Sequence, residues 1–206
     1  MKLIILHGLG QTSQDWKAVI RSLKGHVECR VPDLSSMMRK PAANYDDLLN
    51  RLEIHLNKEK NPVDLCGLSL GAVLAIDYAI THPEKVHSLI LIAPQYKMPK
   101  ALLVFQNIIF RFMPESSFTQ TGLSKAQMIS LCQSMKKLDF TDSLCKISCP
   151  TLVVCGQKDK ANLKQAQQLA DQIPTASLRI IENAGHEANI DAPEALSGTI
   201  IEYLNP

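Results

Sequence analysis

Five residues, Gly67-Leu68-Ser69-Leu70-Gly71, follow the apolar run Pro62-Val63-Asp64-Leu65-Cys66 and precede a helix-patterned run over residues 72–80. The order reads as strand, tight turn, helix. A turn that sharp brings helix backbone against strand backbone, so the positions two before and two after the serine must be small, and both are glycine. The turn forces Ser69 into a strained conformation with its hydroxyl clear of the sheet. The helix starting there aims its N-terminus at whatever reacts, which favours developing negative charge. The chemistry predicted is nucleophilic attack by Ser69 on a carbonyl carbon. The competing reading makes Ser69 an ordinary helix N-cap.

A serine hydroxyl is a poor nucleophile at neutral pH and needs a base within hydrogen-bond reach. Among the histidines at 7, 26, 55, 82, 87 and 186, His186 stands in the run Gly185-His186-Glu187-Ala188-Asn189, beyond the last predicted strand. From such a loop it can swing over a serine on a central strand. His55 falls inside a helix pattern, and His26 and His87 flank strands. His82 ends a helix beside Pro83, where a cation is favoured. The base needs an acid that fixes its tautomer and stabilises the imidazolium. Asp159 fits, in the turn Gly156-Gln157-Lys158-Asp159 after an apolar strand pattern. The preceding strand runs out into Ala93-Pro94-Gln95, which offers no acid. Asp159 also reads as the N-cap of a helix over residues 161–170.

A tetrahedral oxyanion needs N–H donors, each worth about 10²–10³ in rate. Leu70 N–H, at the helix start, is one candidate. The other is Leu9 N–H, in His7-Gly8-Leu9-Gly10-Gln11 after the first strand, where glycines let the backbone curl toward the site. His7 reads as a hydrogen-bonding residue of that loop rather than as a base.

These residues need a scaffold that brings distant loops together. Apolar runs at 2–6, 27–31, 63–66, 88–92, 151–155 and 177–181 read as strands, mostly continuous rather than alternating, as expected of strands covered on both faces. Helical periods fill the intervals, at 13–23, 45–57, 70–81, 162–172 and 193–204. Alternating strand and helix implies a doubly wound, parallel sheet whose ligands bind beyond the carboxyl ends of the strands. One stretch, about 95–147, breaks the alternation and offers two helical segments, 99–113 and 124–138. It is too long for a plain connection and reads as a helical lid between the fourth and fifth strands. The alternative is a pair of crossover helices packed on the sheet.

Length, 206 residues, suits a single domain with a substantial core. A formal charge of +2 gives no reason to propose nucleic acid or an acidic partner. The start, Met1 to Leu6, is too short for a signal peptide, and no apolar run approaches the ~18 residues of a membrane span. The longest, from Ala101 to Met113, is broken by Gln106, Asn107 and Arg111. Six cysteines, mostly inside apolar runs, read as reduced, buried thiols and point to the cytoplasm. Cys145 and Cys149 have no Cys/His pair at matching spacing to complete a metal site.

Taken together, five segments in order resemble the α/β-hydrolase superfamily over essentially the whole chain. They are His7-Gly8-Leu9-Gly10 with Trp16 downstream, Val31-Pro32-Asp33-Leu34, the Ser69 turn, the run from Cys149 to Asp159, and Gly185-His186-Glu187-Ala188-Asn189 before Pro193. The resemblance implies an α/β-hydrolase fold, Ser69, Asp159 and His186 as catalytic residues, the Leu9 and Leu70 amides as oxyanion hole, and no cofactor. Two departures stand out. The His-Gly strand starts at residue 2 with no antiparallel pair before it, which implies about six strands, all parallel. Asp33-Leu34 continues as Ser35-Ser36-Met37 rather than the Arg-Gly-His-Gly often found there.

The expected activity is hydrolysis of a carboxylic ester or thioester of a small apolar acyl or aryl substrate through an acyl-enzyme. A thioesterase, a C–C bond hydrolase or a lyase on a small acidic metabolite would use the same residues, and a ligand sensor with slow turnover is the reading from a different class. Within the insertion, Leu102, Leu103, Val104, Phe105, Ile108, Ile109, Phe110, Phe112 and Met113 are apolar around most of a helix. Between Lys97 and Lys146, seven Lys/Arg oppose three Asp/Glu, a net of +4, while the rest of the chain nets −2. That imbalance either steers anionic substrates or is a solvated helix face.

Overall fold

A computed structural model describes residues 2–38 and 43–205. Six strands form one sheet: β1 (Lys2–Leu6), β2 (Glu28–Arg30), β3 (Val63–Leu68), β4 (Val86–Ile92), β5 (Thr151–Gly156) and β6 (Ala176–Ile181). Their order is β2-β1-β3-β4-β5-β6, and every pairing is parallel. The order reverses direction at β1, so the loops after β1 and β3 lie side by side, where open α/β sheets bind ligands.

Nine α-helices accompany the strands among the described residues: α1 (Lys17–Leu23), α2 (Leu34–Met37), α3 (Tyr45–Leu56), α4 (Leu70–Thr81), α5 (Lys100–Phe112), α6 (Lys125–Met135), α7 (Leu163–Gln172), α8 (Ala188–Asp191) and α9 (Pro193–Leu204). Two cores follow, one on each face of the sheet. Leu3 and Ile5 pack with Val19 of α1 and Leu196 and Ile200 of α9. Ile4 and Leu6 point the other way and pack with α3, α4 and α7. The period-two alternation of a strand divides neighbouring apolar residues between two helical layers in this way. None of these helices is long and apolar enough to cross a membrane.

The edge strands differ from the sequence pattern. β2 keeps three residues instead of five, with Glu28 and Arg30 exposed, because a strand with one neighbour can pair only where β1 runs beside it. β6 leaves Ser177, Arg179 and Ile180 exposed rather than burying both faces. The predicted helix at 13–23 divides into a 3₁₀ turn, Ser13–Trp16, and α1, with Thr12 and Asp15 forming a capping box. Of the cysteines, all free, Cys145 is exposed and Cys29 half-buried, which corrects the reading of all six as buried.

Candidate active site

At the β3–α4 turn, Ser69 adopts φ 53° and ψ −111°, a region that non-glycine residues rarely occupy. Its side chain makes no capping bond to α4, so the hydroxyl does not serve as the helix cap. The flanking glycines are required by contact. A Cβ on Gly67 would fall on the Gly71 carbonyl, and one on Gly71 on the Leu6 carbonyl at the end of β1. Ser69 N–H bonds to Ile92 O at 3.0 Å, fixing the turn to β4.

The turn after β5 and the loop after β6 are held together by backbone. Gln157 N–H donates to Ile181 O (2.9 Å) and Lys158 N–H to Ala184 O (2.8 Å). A Cβ on Gly156 would fall on the carbonyls of Ala184 and Gly185, so glycine is needed there for the approach itself. Across this seam His186 Nδ1 lies 2.8 Å from Oδ2 of the buried Asp159. Asp159 Oδ1 also accepts the Asn162 backbone N–H at 3.3 Å, so the carboxylate serves the turn as well as the imidazole.

Sequence reasoning missed a third member. The Asn162 side-chain amide donates to Asp159 Oδ1 and Oδ2 at 2.9 and 2.8 Å, and its Nδ2 lies 3.0 Å from His186 Nδ1. Asn162 Oδ1 accepts from Gln95 Nε2 at 2.8 Å. Gln95, dismissed at the sequence level because it is no acid, therefore orients the amide that orients the acid. The only signal was Asn three residues after Asp, a spacing that favours local side-chain to backbone bonds.

A second buried amide pair joins the loop after β1 to the histidine loop. Gln11 Nε2 donates to Glu187 Oε1 (2.9 Å) and Asn189 Oδ1 (3.2 Å), while Gln11 Oε1 accepts from Gly8 N–H (3.3 Å). Asn189 Nδ2 donates to Asp15 O at 3.0 Å. Neither Leu9 N–H nor Leu70 N–H has a hydrogen-bond partner among the described residues. His7 is committed to structure, with Nδ1 3.0 Å from Gly8 O and Nε2 accepting Leu34 N–H at 3.0 Å. Burial lowers its pKa, because the charged imidazolium is poorly solvated there.

Ser69, Leu9, Leu70, Asp159 and His186 all line one cavity of about 540 Å³. The opposite wall comes from the segment between β4 and β5, including Leu103 and Phe110 of α5 and Met128 and Cys132 of α6. With its Nδ1 at Asp159, the His186 ring leaves Nε2 for the cavity side. No hydrogen bond joins Ser69 Oγ to His186 among the described residues; such contacts in unliganded sites tighten when substrate binds. The side chains of Leu102 and Phe105, counted in the apolar helix, lie outside the described part. The arrangement can place a nucleophile, a base with its acid, and two amide donors around one carbonyl.

A second cavity, about 420 Å³, lies at the amino ends of the strands beside His87, Ser88 and Tyr203. There Ser88 Oγ donates to Asp64 Oδ1 (2.7 Å), which also holds His87 Nδ1 (2.8 Å). The hydroxyl and the imidazole share one carboxylate oxygen, so no Ser–His contact of the kind the β3–α4 turn is read for forms there. No group of three or more His, Cys, Asp and Glu is placed to hold a metal among the described residues.

A family model described as "Alpha/beta hydrolase family" matches residues 3–199. Pimeloyl-[acyl-carrier protein] methyl ester esterase from Vibrio campbellii is 23% identical, over 98% of this chain and 93% of that protein. Monoacylglycerol lipase ABHD6 from Homo sapiens is 19% identical, over 98% and 74%. The enol-lactonase of Burkholderia xenovorans LB400 superposes with a TM-score of 0.86 at 18% identity, over 100% of this chain and 91% of that one. A thermophilic esterase from Thermogutta terrifontis superposes at 0.80 with 24% identity, over 99% and 89%. At these identities the superpositions establish the fold alone, six parallel strands with helices on both sides, while the match from residue 3 to residue 199 establishes that the chain belongs to the alpha/beta hydrolase family.

Proposed function

We propose that the protein is a serine hydrolase that cleaves a carboxylic ester or thioester of a small apolar acyl or aryl group through an acyl-enzyme. The observation that carries this reading is the 2.8 Å contact of His186 Nδ1 with buried Asp159, on a cavity shared with the strained Ser69. His186 Nε2 takes the Ser69 proton as Oγ bonds to the carbonyl carbon. The carbonyl π electrons move onto oxygen, where the Leu9 and Leu70 N–H groups and the start of α4 stabilise the charge. Collapse expels the alcohol or thiol, which leaves with the proton held by His186. A water then attacks the acyl carbon, gives its proton to His186, and Ser69 departs with that proton as the acid forms. Residues 95–147 act as a lid, a reading supported by the α5 and α6 side chains on the cavity wall. The apolar character of that wall favours acyl or aryl groups over sugars or phosphates. Relatives named as esterases and lipases are consistent with ester substrates. Six unpaired cysteines suit work in the reducing cytoplasm.

A fluorophosphonate probe with peptide mapping tests the site before any substrate is known. Labelling is expected at Ser69 and lost in Ser69→Ala and His186→Ala. Turnover of p-nitrophenyl acyl esters is expected to fall by at least ~10⁴ in Ser69→Ala. Undiminished labelling of His186→Ala, or label landing elsewhere than Ser69, would refute the assignment.

A further inference from the structure

An oxyanion donor helps most when its direction is fixed before the charge forms, since a loose amide must reorganise at the moment of reaction. The peptide bond is planar and trans, so the Gly8 carbonyl and the Leu9 N–H of one peptide point in opposite directions. Whatever holds Gly8 O therefore aims Leu9 N–H. Gly8 O accepts the Gln11 backbone N–H at 3.2 Å and lies 3.0 Å from His7 Nδ1. His7 Nε2 accepts from Leu34, so in the neutral ring Nδ1 carries the proton and donates to that carbonyl. Gly8 N–H, in the preceding peptide, donates to Gln11 Oε1 at 3.3 Å. Gln11 thus grips the peptides on both sides of the Gly8 Cα, one with its backbone and one with its side chain. Gly10, at φ 87°, lets the loop turn without restraining it, so the restraint has to come from side chains.

The Gln11 side chain is itself held from the histidine loop. Gln11 is 4% exposed and Asn189 1%. Gln11 Nε2 donates to Glu187 Oε1 at 2.9 Å and to Asn189 Oδ1 at 3.2 Å, while its Oε1 accepts from Asn189 Nδ2 at 3.5 Å as well as from Gly8. Both amide protons and the carbonyl oxygen are engaged, so any other orientation leaves buried polar groups unpaired. Leu9 follows Gly8 in the chain and Glu187 follows His186. One carboxamide therefore connects the residue before the oxyanion donor to the residue after the base, although Gln11 and Glu187 are 176 positions apart.

We infer that Gln11 is a positioning residue of the acyl-transfer site, holding Leu9 N–H in register with the histidine loop so that oxyanion donor and base meet the same carbonyl. The inference rests on the serine hydrolase reading and adds the group that sets its oxyanion geometry. Leu9 borders the cavity and Gln11 does not, so Gln11 acts through the Leu9 amide. Its effect falls on the tetrahedral states, where negative charge sits on oxygen, and little on ground-state binding.

Steady-state kinetics on a p-nitrophenyl acyl ester test this, together with inhibition by a trifluoromethyl ketone of the same acyl group, which adds to a serine as a charged hemiketal. Gln11→Met keeps the length of the side chain and removes its hydrogen bonds. Its kcat should fall about 100-fold with KM within about threefold, as loss of one oxyanion donor requires, and its affinity for the ketone should fall by the same factor as kcat. Gln11→Glu, which sets a carboxylate against Glu187, should lose at least as much. Adding Glu187→Gln returns a donor to that contact from the other side and should recover at least ~10-fold. Circular dichroism reports folding, and if Gln11→Met does not fold the charge-swapped pair decides. A folded Gln11→Met with kcat within about threefold of wild type, a loss of kcat that leaves ketone affinity unchanged, or no recovery in the swapped pair overturns the inference. Ser69→Ala separates the two readings. If it still turns over the ester, the serine hydrolase reading fails; if it is inactive while Gln11→Met is unimpaired, only the role of Gln11 fails.

Discussion

Gly156→Ala isolates the contact on which the site geometry rests. Gly156 ends β5 with a backbone conformation open to any residue, so the methyl adds no φ strain; what it lacks is room. Its Cβ would overlap the carbonyl oxygens of Ala184 and Gly185, both backbone atoms that cannot rotate away. The histidine loop must retreat by about 1 Å to restore van der Waals distance, a displacement that costs about a hundredfold in rate when it falls on a reacting group. The retreat separates the turn bearing Asp159 from the loop bearing His186 and stretches their 2.8 Å contact out of hydrogen-bond range. Overpacking of this kind also costs about 1–3 kcal/mol of stability. The matched control is Gly198→Ala in the middle of α9, where a Cβ meets nothing within 4 Å and helix propensity adds about 1 kcal/mol. Thermal melts should therefore move in opposite directions in the two variants while fluorophosphonate labelling changes in only one: slower labelling and a lower melting temperature for Gly156→Ala, unchanged labelling and a slightly higher melting temperature for Gly198→Ala. If Gly156→Ala labels within twofold of wild type with its melting temperature unchanged, the seam does not set the Asp159–His186 geometry.

Two further outcomes follow from the polar network. Asn162→Ala removes two donors to a buried carboxylate and leaves Gln95 without its acceptor. We expect about 2–3 kcal/mol less stability and roughly tenfold lower kcat with KM little changed, since the amide acts through Asp159; a variant equal to wild type in both would show the amide to be a bystander. His7 has its pKa lowered in the folded state by burial, so between that value and its ordinary value of about 6.5 the unfolded chain binds the extra proton. Stability from His7 is therefore complete above pH ~6.5 and falls as pH drops toward the folded-state pKa, by at most about 1.4 kcal/mol per pH unit. Urea midpoints between pH ~5 and ~8 should show this slope in wild type and lose it in His7→Gln.

Much of this molecule could be read from local chemistry. The five apolar runs that became β1, β3, β4, β5 and β6 are bounded by turn residues, and period and length are local properties of a chain. The Ser69 turn was legible for the same reason, because Gly67 and Gly71 record a backbone crossing within five residues of sequence. Asn162, Gln95, Gln11 and Asn189 were not legible. An amide looks the same in sequence whether it is solvated or bridges two loops, and the partners here are 67 and 178 residues apart. The outer face of α5 was equally ambiguous: its residues read as apolar all round, and only the packed structure separates those facing the cavity from those facing out.

The primary structure by itself determined the parallel, doubly wound architecture and the chemical character of Ser69, Asp159 and His186, because hydrophobic periodicity and steric allowance at glycine act over a few residues. Tertiary structure alone decided which amides hold the acid, which carbonyls demand Gly156, and which side of α5 meets solvent. Those depend on how segments far apart in the chain share space, and that is settled only when the sheet has closed its two cores.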